Sequence, residues 1–277
     1  MQTVVAHGAH IPVLGFGTYG MASVDLQRMI PAALQAGLRH IDTAQVYGNE
    51  ADVGAGISSS GVPRAEVFIT TKVWVANYSR RRFGQSVDES LRRLRSDYID
   101  LLLLHWPHGD VPLAEQIESL NAAVDAGKVR YIGVSNYTRE LLRRATRLSR
   151  HPLVTNQFEY HPFLDQGALI DSCRAAGIAV MAYCGMAVGR VFTEPVLEEI
   201  AARHSRSVAQ VVLRWLIQQP GVVALSRTVN PARIAQNAMV FDFELTSQEM
   251  VQIHRLARPH SRIVNPPGLA PEWDELR

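Results

Sequence analysis

The chain has 277 residues, 47% of them hydrophobic and 19% charged, enough for one large domain or two small ones. Its 28 Lys and Arg face 26 Asp and Glu, a formal charge of +2, which argues against a dedicated nucleic-acid binder resting on uncompensated phosphate contacts. No apolar run approaches the roughly 18 to 20 residues that span a bilayer, and the start MQTVVAHGAH lacks a basic and apolar leader, so the expected setting is cytoplasmic with no membrane partner.

In chain order, two short apolar segments flank His7-Gly8-Ala9-His10 and predict a β-hairpin. Eight β-branched or aliphatic runs follow: Val13 to Gly17, Leu38 to Asp42, Val67 to Val73, Ile99 to His105, Val129 to Val134, Val154 to Phe158, Ile178 to Tyr183 and Val222 to Leu225. Segments of helical period lie between them, such as Val87, Leu91 and Leu94, or Ile117, Leu120 and Val124. Several end in Ala-Gly just before the next run, as in QAGLRHID, DAGKVRYIG and RAAGIAVMAY, the pattern of a glycine C-cap. Eight strands alternating with helices imply right-handed βαβ units and an α/β fold, a closed (β/α)8 TIM barrel whose N-terminal end the hairpin plugs. No linker, low-complexity tract or charge block divides the chain, so residues 1–277 read as one domain.

Gly15, Gly17 and Gly20 spell GxGxxG, with Asp42 at the end of the next strand, the form of a Rossmann fingerprint. Two features weaken that reading. The helix starts near Ser23 or Asp25, after the glycines, and the strand pattern runs on eight times. Either architecture puts ligand chemistry at the carboxyl ends of strands.

An acid, a phenol, an amine and an imidazole fall there: Asp42, Tyr47 in the loop beyond it, Lys72 and His105. Singly each has an ordinary explanation as a helix cap, rim packing or a satisfied core histidine. Lys72, however, follows the buried-strand run VFITT, where an unpaired ammonium is costly, so a carboxylate partner is expected and Asp42 is the candidate. Only Lys72 and Lys128 are lysine among 28 basic residues, as expected of positions where Arg does not substitute; the ordinary alternative is that the two are chance survivors. A phenol beside an ammonium is expected to have a pKa below its usual value of about 10, making Tyr47 a proton donor. A neutral His105 beside it holds a carbonyl oxygen. No nucleophile has a base nearby, and no metal is expected, since His105 and His108 straddle Pro107 without a third ligand. Cys173 and Cys184 form no CxxC pair and read as ordinary buried thiols. Protonating a carbonyl oxygen needs a separate hydride donor. A phosphate seat for it is the run Ser226 to Arg233, opening a helix after strand eight, in which Arg227, Thr228 and Arg233 suit a phosphomonoester; the ordinary alternative is a solvated helix start.

The segments HIDTAQVYGNE, ITTKVW, LLHWP, IGVSNY, NQFEYHP and NPARIAQN, in this order and spacing, resemble the aldo-keto reductases across essentially the whole chain. The closing RIVNPPGLAPEWD is similar to a bacterial branch that reduces small dicarbonyls such as methylglyoxal or keto-sugar acids such as 2,5-diketo-D-gluconate. The resemblance implies a TIM barrel rather than a Rossmann fold, with a C-terminal loop at the substrate pocket. It also implies an oxidoreductase using NADPH, with NADH as the weaker alternative. Carried over by position, Asp42, Tyr47, Lys72 and His105 are the catalytic tetrad, with Tyr47 the general acid. The cofactor residues it implies begin with Thr18, Tyr19 and Asp42. Ser135, Asn136 and Gln157 then hold the carboxamide, Tyr183 stacks on the nicotinamide, and Gly185 and Met186 lie along the pyrophosphate. Arg227, Thr228 and Arg233 match the 2′-phosphate positions, and Gln236 and Asn237 the adenine positions. Tyr19, Tyr47, Trp74, His105, Trp106 and Trp273 wall the substrate pocket. The chain departs from the common pattern in having Ser226-Arg227-Thr228 for Pro-Lys-Ser, Gln236 for Glu and Cys184-Gly185-Met186 for Ser-Pro-Leu. The expected partner is a small carbonyl compound and the expected state a monomer. A non-catalytic cofactor-sensing or scaffold barrel is the alternative, against which the complete tetrad stands. The arginines of residues 92–95 and 139–150 recur at helical spacing among leucines and read as a solvated face rather than a nucleic-acid site.

Overall fold

Short aliphatic runs separated by amphipathic segments can bury both faces only if the strands pair with each other and the helices cover them. The computed structural model, which describes residues 2–107 and 110–274, shows this arrangement. His108 lies outside the described residues. The hairpin strands β1 (Thr3–Ala6) and β2 (Ala9–Pro12) pair antiparallel. The barrel follows with β3 (Leu14–Gly17), β4 (His40–Asp42), β5 (Phe68–Val73), β6 (Ile99–Leu104), β7 (Val129–Ser135), β8 (Leu153–Glu159), β9 (Ala179–Tyr183) and β10 (Val222–Ser226). All eight are parallel, and β10 closes the ring by pairing with both β9 and β3.

One helix follows each of the first six barrel strands: α1 (Ser23–Gln35), α2 (Glu50–Ser59), α3 (Arg80–Leu94), α4 (Leu113–Asp125), α5 (Arg139–Leu148) and α6 (Gly167–Ala175). Two follow β9, α7 (Pro195–Arg203) and α8 (Val208–Ile217), and two follow β10, α9 (Pro231–Ala238) and α10 (Ser247–His254). The Ala-Gly endings act as read from the chain: α1 stops at Ala36 and Gly37 takes the left-handed conformation at φ +92°. No helix among the described residues is long and apolar enough to cross a membrane.

Period two along each strand sorts the side chains. Ile41, Ile69, Leu102, Leu104, Ile132 and Val134 face the helices and join the large outer core. Leu101, Leu103, Met181, Val223 and Leu225 point inward and meet Ala6, Ala9 and Ile11 of the hairpin, which plugs the N-terminal end as expected. Gly15, the first glycine of the GxGxxG segment, is there for packing. A Cβ on Gly15 would stand 2.6 Å from Leu225 Cδ2 and 2.7 Å from His40 Nδ1, so the barrel interior leaves no room there for a side chain. Helix α1 starts at Ser23, beyond the glycines.

Helix α5 buries Leu142 and Ala145 and turns its arginines outward, where Arg139 pairs with Asp274 and Arg143 with Glu140. That is a solvated face. Cys173 is buried as read, but Cys184 is only half-buried, because it leaves β9 at φ +60° into an irregular segment.

Candidate active site

His40 and Asp42 share one face of β4, and Thr70 and Lys72 share one face of β5, so they stack in two layers inside the barrel. In the lower layer His40 Nε2 meets Thr70 Oγ1 at 2.9 Å. In the upper layer Lys72 Nζ donates to Asp42 Oδ1 at 2.7 Å and to the Thr43 carbonyl at 2.8 Å, and lies 3.4 Å from the Tyr47 hydroxyl. Lys72 is wholly enclosed and Asp42 only 3% exposed, so the carboxylate expected from the chain pattern is present. Tyr47 ends a 3-10 turn (Gln45–Tyr47) that carries the phenol back over the mouth. Its ring packs edge-on against His105 at 5.7 Å, bringing all four tetrad residues together.

The proton balance differs from expectation. Burial and the Asp42 carboxylate push the Tyr47 phenol well above its usual value of 10, instead of the ammonium drawing it down. Asp42 balances Lys72, so little net positive charge reaches the phenol and desolvation prevails. Burial, with Lys72 adding to it, holds His105 well below 6.5, so its imidazole is neutral. His105 Nδ1 is enclosed with no hydrogen-bond partner among the described residues, which disfavours a proton there and leaves it on Nε2 as a donor.

On the opposite wall, Tyr183 OH donates to Asn136 Oδ1 at 2.7 Å, and Asn136 Nδ2 donates to the His105 carbonyl and to Ser135 Oγ, each at 3.0 Å. Gln157 Nε2 donates to Asp42 Oδ2 at 2.8 Å, linking this wall to the tetrad. The Ser135, Asn136, Gln157 and Tyr183 expected around a nicotinamide thus form one network at the ends of β7, β8 and β9. Amide and hydroxyl groups suit a carboxamide, and the partly exposed Tyr183 ring suits stacking, so the donor set fits that cofactor. Thr18 is fully buried with its hydroxyl donated to the Asp42 carbonyl, whereas Tyr19 is 69% exposed and packs on Tyr47 at 5.1 Å.

Beyond β10, Arg227 is exposed and, among the described residues, bonded only to the Gly20 carbonyl at 3.2 Å. Arg233 is exposed on the first turn of α9, whose N-cap Asn230 accepts from Ala232 N–H. Thr228 Oγ1 accepts from Asn230 N–H at 3.1 Å. Cationic side chains at a helix N-terminus without a carboxylate partner among the described residues are suited to a phosphate. Gln236 is exposed and Asn237 buried one turn further on, while Gly185 is buried and Met186 partly so at the end of β9.

The expected substrate walls also meet. Trp74 packs on His105 at 5.4 Å, Trp106 stacks with His105 at 6.5 Å, and Trp273 lies edge-on to Trp106 at 6.3 Å. Two residues that hold these walls had no distinguishing signal in the chain. Gln45 Oε1 accepts from Trp74 N–H and Asn77 Nδ2, and Tyr78 OH donates to the Trp106 carbonyl at 2.8 Å. Gln45 sits inside a quoted motif in which nothing singles it out, and Tyr78 lies outside every quoted motif.

Residues 13–258 match the family described as "Aldo/keto reductase family". A methylglyoxal reductase DkgB from Yersinia pestis is 39% identical over 267 residues, covering 95% of this chain and 99% of that protein. A morphine 6-dehydrogenase from Pseudomonas putida is 42% identical, over 90% of this chain and 89% of that protein. Among solved structures, one provisionally named a 2,5-diketo-D-gluconic acid reductase B superposes with a TM-score of 0.98 at 54% identity, covering 99% of this chain and 98% of that one.

Proposed function

This chain belongs to the aldo/keto reductase family, and we propose that it reduces small aldehydes and ketones to alcohols with NADPH, Tyr47 supplying the proton. The observation that carries the reading is the wholly enclosed Lys72, bonded to Asp42 and facing the Tyr47 hydroxyl at 3.4 Å. An ammonium so costly to bury has a clear use where a phenol must give up its proton.

NADPH supplies a hydride when bound. Tyr47 keeps its proton over the working pH range and releases it only to an oxygen that is becoming an alkoxide. As the phenolate forms, Lys72 stabilises it, and Asp42 keeps Lys72 charged and in place. His105 donates from Nε2 to the same oxygen and orients it between the Trp74 and Trp106 walls. Ser135, Asn136 and Gln157 would hold the carboxamide, with Tyr183 against the nicotinamide ring. Thr18, Tyr19, Gly185 and Met186 would line its path. Arg227, Thr228 and Arg233 would take the 2′-phosphate, and Gln236 and Asn237 the adenine.

The names of the methylglyoxal reductase relatives support small dicarbonyls as substrates, and that of the solved neighbour supports 2,5-diketo-D-gluconate. We place the activity in the cytoplasm, in one barrel domain acting as a monomer. The test is oxidation of NADPH and of NADH in the presence of methylglyoxal, 2,5-diketo-D-gluconate and aromatic aldehydes. Turnover with NADPH preferred supports the reading, and no turnover with any of them overturns it.

A further inference from the structure

The barrel closes where β10 pairs with β3, with Leu225 opposite Gly15 and Ser226 opposite Phe16. Two segments therefore leave the sheet side by side: residues 18–22, leading into α1, and residues 227–230, leading into α9. Two arginines cross this seam in opposite directions. Arg227 Nη2 donates to the Gly20 carbonyl at 3.2 Å, and Arg28 Nη2, on α1, donates to the Val229 carbonyl at 3.0 Å. Arg28 thus holds the segment that carries Arg227, and Arg227 holds the loop before α1.

That loop is a four-residue turn. Met21 N–H donates to the Thr18 carbonyl at 3.2 Å, with Tyr19 and Gly20 between them, and Gly20 stands third at φ +65°, where glycine sits without strain. The last glycine of GxGxxG is thereby accounted for. Thr18 is fixed from within the barrel: its N–H and its hydroxyl each donate to the Asp42 carbonyl at 3.0 Å, and its own carbonyl also accepts from Asn49 Nδ2 at 2.9 Å. Gly20, at the open side, is tied to Arg227. Tyr19 lies between these two ties, largely exposed, with its ring edge-on over the Tyr47 ring at 5.1 Å. The cover it gives the phenol therefore depends on Arg227. A guanidinium has five N–H donors, so one can stay on Gly20 while others take a phosphate.

We propose that Arg227 is a positioning residue for Tyr19 as well as a phosphate ligand, so that a phosphate held there fixes Tyr19 over the proton donor and raises turnover, not only cofactor affinity. The proposal rests on the reductase reading above and deepens it by joining the phosphate seat to the barrel mouth. A guanidinium pinned by a phosphate no longer swings off the Gly20 carbonyl, whereas without one the same exposed bond opens more often.

Hydrogen exchange of the Met21 amide, whose bond closes the turn, reads this in the apoprotein without turnover. Arg227→Ala speeds that exchange at least about threefold, and saturating 2′-AMP slows it at least about threefold in wild type, whereas AMP and the Arg227→Ala protein show no such slowing. NADH, which has no 2′-phosphate, reads it in turnover: Arg227→Ala lowers kcat with NADH about twofold or more, and Arg227→Lys keeps part of it. Unchanged Met21 exchange in Arg227→Ala overturns the proposal, as does exchange that 2′-AMP leaves unaltered in wild type. Wild-type kcat with NADH in Arg227→Ala overturns it too, and would make Arg227 a phosphate ligand alone. If wild type reduces no carbonyl compound with either cofactor, the reductase reading fails, and the exchange rates still decide whether Arg227 holds the turn.

Discussion

Lys72 and Lys128 are the only lysines among 28 basic residues, and they occupy opposite environments. Lys128 meets Asp88 on the surface, where a guanidinium would serve as well. Lys72 is enclosed on all sides, and its ammonium is shaped to Asp42, Thr43 and Tyr47. Lys72→Arg should therefore lower kcat by roughly 10²-fold or more while NADPH affinity, measured by fluorescence, persists; full kcat in that variant would contradict the role given to Lys72. The protonation states predict a pH profile. In the proposed mechanism, reduction needs Tyr47 protonated and His105 neutral. The phenol is raised well above 10.0 and the imidazole lowered well below 6.5, so kcat/KM for reduction should stay level between those values. An inflection inside that window that vanishes in Tyr47→Phe or His105→Gln would show one of these states to be wrong. At the phosphate end, Arg233→Ala should raise KM for NADPH roughly 10- to 100-fold and leave KM for NADH nearly unchanged, as kinetics with both cofactors would show. The convergence of Asp42, Lys72 and His105 on one mouth is legible in the chain, because strand ends in an α/β barrel meet there. The direction of the Tyr47 shift is not, because it depends on how fully Asp42 offsets Lys72 and how deeply the phenol is covered.

The eight barrel strands were readable to within one or two residues. Glycine at Gly37 and the start of α1 at Ser23 both follow from local chemistry. The resemblance put Trp273 of the tail at the pocket, but the path of the tail from Leu256 to Asp274 was not readable. Its position comes from bonds between Glu159 and residues 104 and 105 places away, and no local pattern announces such a pairing. The same holds for Gly15, which looks like part of a dinucleotide motif and instead admits β10 and His40 to the barrel interior. Gly15→Ala should lower unfolding free energy by about 1–3 kcal/mol, since the new methyl overlaps Leu225 and His40 and both lie on rigid strands. Urea denaturation checks this, and an unchanged midpoint would mean that the interior relaxes around the methyl.

Across the whole molecule, the near-neutral charge conceals a division of labour. Arg139 and Arg143 on α5 pair with acids, while Arg227 and Arg233 near the mouth stay unpaired, and Arg262 lacks an acceptor, among the described residues. Closure of the barrel follows from eightfold repetition, which is why the fold could be read from the pattern of runs. What the mouth selects depends on the tail and on side chains such as Gln45 and Tyr78, whose partners are far apart in the chain. If the phenol held by the buried Lys72–Asp42 pair protonates the carbonyl oxygen, replacing it by phenyl removes the proton donor and leaves the rest of the site in place. In Tyr47→Phe, kcat for methylglyoxal with NADPH should fall roughly 10²- to 10⁴-fold while the Kd for NADPH stays within about a factor of two. Wild-type kcat in Tyr47→Phe, at undiminished NADPH affinity, would contradict it.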